Sequence, residues 1–187
     1  SCVCANAATF TAGSENATAG NVVSVPITVA PSAGETSTDV NAYAIAISYD
    51  SSVLTPVVKG TDEVGDNTYA TVGDSFNSGV LTADLKDNET GNDEVLIGWA
   101  AASPVNVTEA STLATVDFTV NANATGSTDV KVAVAQVANS ASALADASTI
   151  EAASGTVTVD TAILYGDADG NGKIESEDAS LVAKAAL

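Results

Sequence analysis

The sequence predicts an all-β fold, a sandwich or a barrel, and three features of the chain support this prediction. Apolar residues alternate with polar or small residues at a period of two from Val22 to Val159. Gly, Asn, Asp, Ser or Pro interrupts the alternation about every eight to twelve residues. No long helical pattern occurs in this stretch. Together these features indicate about eight or nine strands in one domain.

The predicted strands follow one another closely along the chain. They cover residues 22–29, 43–49, 54–58, 80–85, 94–102, 113–120, 130–137 and 156–159. In the first strand every second residue from Val23 to Val29 is valine or isoleucine, which predicts a face packed on the core. Pro26 lies on the opposite face, and because proline donates no hydrogen bond to a neighbouring strand, it suggests an edge strand or a bulge.

Three of these strands have large apolar side chains on one face and small residues on the other. In the strand from Tyr43 to Tyr49 the large residues are predicted to fill the core. A solvent-facing sheet usually carries Thr, Lys and Glu, so we interpret the small-residue face as a docking surface, if the strands share a sheet. Its predicted members are Ala42, Ala44, Ala46, Ser48, Leu96, Gly98, Ala100, Lys131, Ala133 and Ala135. The alternative is that alanine is simply frequent in this chain.

The most specific motif covers residues 167–178 and predicts a calcium site. Oxygen-bearing side chains occupy positions 1, 3, 5 and 12 of a twelve-residue EF-hand-like loop, with a main-chain carbonyl expected at position 7 and a direct or water-mediated ligand at position 9. In that order, the predicted Ca²⁺ ligands are Asp167, Asp169, Asn171, Asp178, Lys173 and Glu175. The alternative is a solvated turn that binds no metal.

Three further residues refine the prediction for this loop. Gly172, at position 6, permits the sharp turn that the loop requires. Ile174, at position 8, is expected to pack inward, and a short helix is predicted from Ala179 to Leu187. Position 12 carries Asp178 rather than the bidentate glutamate of EF-hands, so the helix is expected to approach the ion more closely.

Charge and composition exclude several classes of function. The chain has 187 residues and a net charge of -19, with five lysines, no arginine and no histidine. Nucleic acids and anionic membranes both need cationic partners, so neither is expected to bind. No run of 18 apolar residues occurs, so no membrane insertion is predicted. Without histidine, the serines lack a base to activate them, and no marked cleft pairs two carboxylates, so we do not expect an enzyme.

Several remaining features have weaker interpretations. Cys2 and Cys4 are assigned no role, and residues 1–7 are interpreted as the end of a secretory leader or as a cloning remnant. Trp99 is in register with core residues, which favours a core position over a sugar-binding platform. The acidic stretch 84–94 is interpreted as a solvated hairpin, with a second calcium site as the alternative.

The C-terminal residues 161–187 resemble the first calcium repeat of a dockerin. The resemblance rests on the loop with Asp178 at position 12 and on Tyr165-Gly166 just before it. It implies that Ser176, Glu177 and Lys184 stand where dockerins carry partner-selecting side chains. Dockerins present two such repeats to a cohesin, so the tail is expected to bind a cohesin if a second repeat follows. With one repeat alone, self-association through the uncovered helix is expected.

Residues 8–160 resemble a cohesin. Ile47 to Leu54 (ISYDSSVL) is similar to the cohesin segment in which a strand ends in Tyr-Asp and resumes with Val-Leu, while 114–120 and 155–159 resemble later cohesin strands. The resemblance implies a nine-stranded jelly-roll β-sandwich that binds dockerins with one sheet face. By the Tyr49-Asp50 anchor, this face includes Ala42, Ala44, Ala46 and Ser48, together with the strands at 80–85, 95–101 and 130–136.

Together these observations predict a secreted, non-catalytic scaffold or adaptor module of a bacterial multi-enzyme complex, extracellular or at the cell surface. The expected organisation is a leader remnant or tag at 1–7, a cohesin-like sandwich at 8–160 and a partial dockerin at 161–187. The predicted partners are dockerin-bearing proteins. The alternative is a carbohydrate-binding β-sandwich with a structural calcium site, which would need aromatic residues in line on an exposed face.

Overall fold

The computed structural model describes residues 8–86, 92–140, 143–145, 150–160, 166–169 and 173–185. These residues form an all-β domain followed by one short helix. The longer strands are β1 (Ala8–Ala12), β2 (Glu15–Thr18), β3 (Val22–Pro31), β4 (Thr38–Asp50), β9 (Val80–Lys86), β10 (Asn92–Val107), β11 (Ser111–Val120), β12 (Gly126–Ser140), β14 (Ile150–Ala153) and β15 (Gly155–Asp160). The shorter strands are β5 (Leu54–Pro56), β6 (Gly60–Thr61), β7 (Asn67–Thr68), β8 (Thr71–Val72) and β13 (Ala143–Leu144).

Two sheets pack face to face and confirm the predicted sandwich. The first sheet has the strand order β14-β1-β3-β11-β5, with β8 also paired to β11. The second has the order β2-β15-β12-β4-β10-β9, with β13 also paired to β12. Two pairs, β1 with β14 and β2 with β15, are parallel, and the other pairs are antiparallel. The strands β4 and β12 therefore lie in the middle of the second sheet.

The core lies between the two sheets and is built from every second residue of the long strands. Burial alternates strictly along β4 from Tyr43 to Tyr49 and along β11 from Val116 to Val120. The largest side chains that are fully buried include Phe10, Phe76 and Phe118. Because neighbours in a strand point to opposite faces, this inward set fixes which residues face outward.

The sequence predicted most long strands but missed others. Strand β3 pairs with both β1 and β11, so it is not an edge strand. The other interpretation of Pro26, a bulge, agrees with a register shift in β11 between Thr112 and Ala114, next to the Thr115–Pro26 pair. The β1–β3 ladder ends where Ala12 pairs with Ile27. Pro26 lies just past the end of this ladder, where no main-chain N–H is needed to pair with β1. Strands β1, β2 and β14 were not predicted.

Outside the two sheets, the structure describes a small ribbon, one turn of 3-10 helix at Asp74–Phe76 and an α-helix. Strands β6 and β7 form a two-stranded ribbon. The helix α1 spans Ser176–Ala185 and starts three residues before the predicted boundary at Ala179. Within the described ranges, no helix is long and apolar enough to cross a membrane.

Candidate docking face and metal loop

The small residues identified from the sequence lie together on the outer face of the second sheet. Strand β4 pairs with β10 on one side and with β12 on the other, which brings the three predicted strands side by side. Residues in register form four cross-strand rows. Across β9, β10, β4 and β12 these rows are Val80–Ala100–Ala42–Ala138, Thr82–Gly98–Ala44–Gln136, Asp84–Leu96–Ala46–Ala133 and Lys86–Glu94–Ser48–Lys131. We call the four rows the outer face.

Three of the four rows are dominated by alanine, glycine and exposed aliphatic side chains. Val80 is 74% exposed and Leu96 is 38% exposed, so the face carries apolar surface at the β9 edge and near its centre. A shallow hollow of about 210 Å³ lies over Ala42, Ala44 and Ala138, with Leu144 beside it. Small side chains on a flat sheet allow another backbone to approach closely, so this part of the face suits a packed protein partner.

The fourth row is polar and bounds the apolar part of the face. Lys86 forms an ion pair with Glu94, with Nζ and Oε2 separated by 3.2 Å. The Ser48 hydroxyl donates to Oε1 of the same carboxylate at 3.4 Å. Lys131, opposite Ser48, is exposed. The outer face is therefore apolar at one end and charged at the other.

A β-bulge in β12 changes the predicted register of the face. Val134 pairs with Ile45 and Gln136 pairs with Ala44, so Ala135 is the extra residue between them. Simple alternation assigned Ala135 to the position opposite Ala44. Ala135 is exposed, but Gln136 occupies that position instead. The partner set in β12 is consequently Lys131, Ala133, Gln136 and Ala138. Alternation alone cannot reveal an inserted residue when alanines stand on both sides.

A second irregularity lies in β10 at the apolar end of the face. Ala100 pairs with Ala42 and Val105 pairs with Val40, so residues 101–104 of β10 stand opposite Asn41 alone. The buried Asn41 amide donates to the Ala101 carbonyl at 2.5 Å. Residues 102–104 are exposed, so this protrusion rises beside the first row and limits the face at that end.

Strand β9 contributes four residues to the outer face, although no single β9 residue was predicted for it. Val80, Thr82, Asp84 and Lys86 each pair with an outward residue of β10. Their signal is present in the sequence as the alternation of residues 80–85. The resemblance to cohesins placed the strand at 80–85 on this face, but it did not say which of its residues point outward.

The aromatic side chains point into the core and not onto the outer face. Tyr43, Tyr49 and Trp99 are each 3% exposed, which confirms the predicted core position of Trp99. The Trp99 indole donates to the Phe76 carbonyl at 2.8 Å. Among the described aromatic residues, Tyr69 alone is not buried. The described part of the chain therefore presents no row of aromatics of the kind that a sugar-binding platform needs.

At the other end of the chain, three of the predicted calcium ligands converge. One carboxylate oxygen from each of Asp167, Asp169 and Asp178 lies within 4.8 Å of the others. Ligands bound to one Ca²⁺ at about 2.3–2.6 Å are separated by at most about 5 Å, so these carboxylates fit a single ion. Asn171 lies outside the described residues, and Lys173 and Glu175 are exposed.

Asp178 is buried and organises the loop around the start of α1. Its Oδ2 accepts from the Glu175 main-chain N–H at 2.7 Å, and its Oδ1 accepts from the N–H groups of Ala168 and Asp169 at 2.8 and 3.3 Å. The Glu175 contact is one half of a capping box, in which the third helical residue bonds back to the N-cap. The Glu175 hydrogen bond contributes most to lowering the pKa of Asp178, and the Ala168 and Asp169 N–H groups offset the opposing effect of burial.

Other predictions for the C-terminal segment have mixed outcomes. Ile174 is 64% exposed and lies over Gly166, so the expectation that it packs inward is wrong in this structure. Gly166 has a φ of +110°, a conformation that brings the chain into the loop. Ser176, Glu177 and Lys184 are exposed on α1. The proposed second calcium site at 84–94 lies partly outside the described residues.

Comparison with known proteins identifies the domain. A family model for the cohesin domain matches residues 8–159. A search of curated proteins gives no match. The matched range ends before the calcium loop, so it concerns the sandwich and not the C-terminal segment.

Solved cohesin structures share the fold. A cohesin–dockerin complex from Clostridium thermocellum contains a chain with a TM-score of 0.62 and 12% identity, covering 83% of this chain and 100% of that one. The third ScaC cohesin of Acetivibrio cellulolyticus, solved with the ScaB dockerin, has a TM-score of 0.58 and 18% identity, covering 81% and 98%. The seventh ScaB type I cohesin of Pseudobacteroides cellulosolvens has a TM-score of 0.58 and 18% identity, covering 84% and 94%. At these identities the likeness concerns the fold.

Proposed function

The chain belongs to the cohesin family of non-catalytic protein-interaction modules, and we propose that it binds dockerin-bearing proteins through the outer face of its second sheet. Two of the similar structures are complexes of a cohesin with a dockerin, which supports this class of partner. The module would act by holding its partner non-covalently within an extracellular multi-protein assembly.

The observation that carries this proposal is the composition of the outer face. Its three apolar rows contain no aromatic residue, and Asp84 is their one charged member. Apolar surface of this kind is unfavourable in water. Burying it under a partner contributes about 25 cal/mol of favourable free energy per Å² of apolar area. The acidic character of the chain elsewhere keeps the molecule soluble while this face stays available.

A single charge placed in the centre of the face tests the proposal. Ala44 lies on the central strand β4 between Gly98 and Gln136. We expect Ala44→Glu to weaken binding of a dockerin module by more than about a hundredfold in calorimetry, because a buried, unpaired carboxylate is costly. Thr119→Glu on β11, in the first sheet, is the matched control and should bind like the wild type. An equal loss of affinity in both variants, or no loss in either variant, would contradict the proposed site.

We propose further that Asp167, Asp169 and Asp178 hold Ca²⁺, with the remaining positions of the loop completing the site. The converging carboxylates and the oxygen-only donor set support this choice of ion. When bound, the ion neutralises three negative charges near the start of α1. This chain's own contribution is the loop held by Asp178, which places the carboxylates near one another.

For the C-terminal segment we propose the role of a dockerin-type attachment element. Ser176 and Glu177 at the start of α1 and Lys184 near its end are exposed and available to a cohesin partner. Leu181 and Val182 are 43% and 59% exposed on the same helix. Light scattering with Ca²⁺ and with chelator separates two modes of attachment. An increase in molecular mass with Ca²⁺ supports self-association. A monomer in both conditions contradicts self-association and favours attachment to a separate cohesin.

A further inference from the structure

Lys131 differs from the other lysines of the sandwich because no described carboxylate lies within ion-pair distance of its ammonium. Lys59 pairs with Asp117, and Lys86 pairs with Glu94. Among the residues that the structure describes, Lys131 forms no ion pair and no hydrogen bond. Of the three lysines in the sandwich, Lys131 is therefore the one whose ammonium is left unpaired among the described residues.

The position of Lys131 places this cation at the border of the outer face. It stands opposite Ser48 in the polar row, directly beside the row that contains Ala133 and Ala46. A polar hollow of about 500 Å³ begins at the same place and is lined by Ser48, Ser127, Thr128 and Lys131, among others. A group that enters this border therefore meets one ammonium and several hydroxyls.

Two carboxylates lie on the far side of Lys131 and are already engaged. Asp50 Oδ1 accepts from the main-chain N–H of Ser52 at 2.9 Å and from its hydroxyl at 2.6 Å. Asp129 Oδ1 accepts from the Thr156 hydroxyl at 3.4 Å. Both line the polar hollow, and neither pairs with Lys131. They repel an anion from the far end of the hollow, so an incoming carboxylate is confined to the side that borders the apolar rows.

We propose that Lys131 selects partners that bring a carboxylate to this border of the outer face. The inference rests on the proposed function, since it requires a partner to cover the face. Covering the face removes water from the ammonium, and an unpaired charge in that position is costly. A carboxylate on the partner offsets the cost, whereas a lysine or arginine at the same place is rejected by like-charge repulsion.

The geometry of the rows indicates how such a partner carries its acid. Adjacent rows are two residues apart along β4, which corresponds to about 6.6 Å at the usual rise of a strand. Residues four apart on a helix are separated by about 6 Å along its axis. A helix lying along β4 would therefore place an apolar side chain over Ala46 and, four residues away, a glutamate or aspartate near Lys131. The partner that fits is a helical segment with this apolar–acidic spacing.

The test uses a dockerin module that binds the wild-type chain, and compares variants of Lys131 by calorimetry. We expect Lys131→Met to weaken binding about tenfold and to reduce its dependence on salt. Lys131→Glu should weaken binding further, and added salt should then strengthen it by screening the repulsion between two carboxylates. Lys131→Arg keeps the charge and should retain binding. Lys59→Met, which removes a lysine paired with Asp117 of the first sheet, is the control for the loss of one positive charge. Thermal unfolding of each variant establishes that the exposed substitution leaves the fold intact.

A charge exchange completes the test. Replacing the partner's acid by lysine should abolish binding to the wild type and restore it to Lys131→Glu. If the module binds all Lys131 variants equally, the inference about Lys131 is wrong and the docking face stands. If no dockerin module binds the wild type at all, the proposed function is wrong and the inference falls with it.

Discussion

Tyr43 and Trp99 stand directly opposite each other on β4 and β10, with ring centroids 5.6 Å apart and ring planes 16° apart. Both rings point into the core, and Phe76 packs edge-on against each of them. Their strand neighbours Ala42 and Gly98 consequently point outward. Packing of the large side chains in the core therefore fixes which small residues point outward and form the docking face.

Removing the indole at this position should destabilise the sandwich strongly. Trp99→Ala loses a buried side chain and its hydrogen bond to Phe76, so we expect the free energy of unfolding to fall by about 3–5 kcal/mol. Leu96→Ala, three residues earlier and on the outer face, should cost less than about 1 kcal/mol. Denaturant unfolding measures both. A Trp99 variant as stable as the Leu96 variant would contradict a core position.

The Trp99 indole packs so close to Gly79 that no larger residue fits at position 79. A Cβ at this position would lie 2.3–2.5 Å from atoms of the Trp99 ring. Gly79→Ala forces the ring to move, and we expect a loss of about 1–3 kcal/mol from this overpacking. Gly60→Ala is the matched control, because its new Cβ would approach no atom closer than 3.7 Å. Thermal unfolding of the two variants side by side should show a loss for Gly79 alone.

The ion pair between Lys59 and Asp117 should make a small part of the stability depend on pH. Burial opposes ionisation of Asp117, but hydrogen bonds from Lys59 and Ser24 outweigh it and hold the pKa of this carboxyl below its ordinary value. A lowered pKa gives stability that is present above the unfolded-state pKa of about 3.9 and is lost as the pH falls through the folded-state pKa.

The comparison of the wild type with Asp117→Asn measures this dependence. The pair is partly exposed, so we expect a difference of only about 0.5 kcal/mol at pH 7. The difference should shrink as the pH is lowered below 4 and should be weaker in high salt. A difference that stays constant down to pH 2.5 would show that ionisation of Asp117 plays no part.

Substitution of Asp178 should affect metal binding and the start of α1 together. Its carboxylate lies near Asp167 and Asp169 and also accepts three main-chain N–H groups. Asp178→Ala should therefore weaken Ca²⁺ binding by about tenfold or more and shift the amide resonances of Ala168 and Glu175 even without the metal. Glu177→Ala, one residue earlier, should change neither property substantially. Unchanged amide resonances in the metal-free variant would contradict the organising role of Asp178.

Much of the fold and of the outer face follows from the sequence because burial alternates with a strict period in the central strands. Tyr43 to Tyr49 could be oriented in this way without any knowledge of strand order. The extra Ala135 could not be foreseen, since it does not change the local alternation of small residues. The protrusion opposite Asn41 contains Pro104, a residue that favours a bulge, but the sequence does not give its register. The short strands β1 and β14 were missed because few residues define their period.

In the predicted calcium loop, the ligand positions followed from the sequence but the packing of the loop did not. Its ligand spacing is specific enough that three of the predicted carboxylates converge as expected. The capping contact from Asp178 to Glu175 also follows from the spacing of N-cap and third helical residue. The exposure of Ile174 does not follow from the motif, because it depends on what packs against the loop rather than on the loop itself.

The most direct test of the docking face is an NMR cross-saturation experiment. A protonated dockerin module is irradiated, and the loss of signal is observed at alanine methyl groups of this chain, which is otherwise deuterated. The methyl groups of Ala44, Ala46 and Ala133 lie on the outer face, whereas Ala30 lies on β3 in the first sheet. We expect signal loss at the three outer-face methyl groups and none at Ala30. Signal loss at Ala30 with Ala44, Ala46 and Ala133 unaffected would contradict the account.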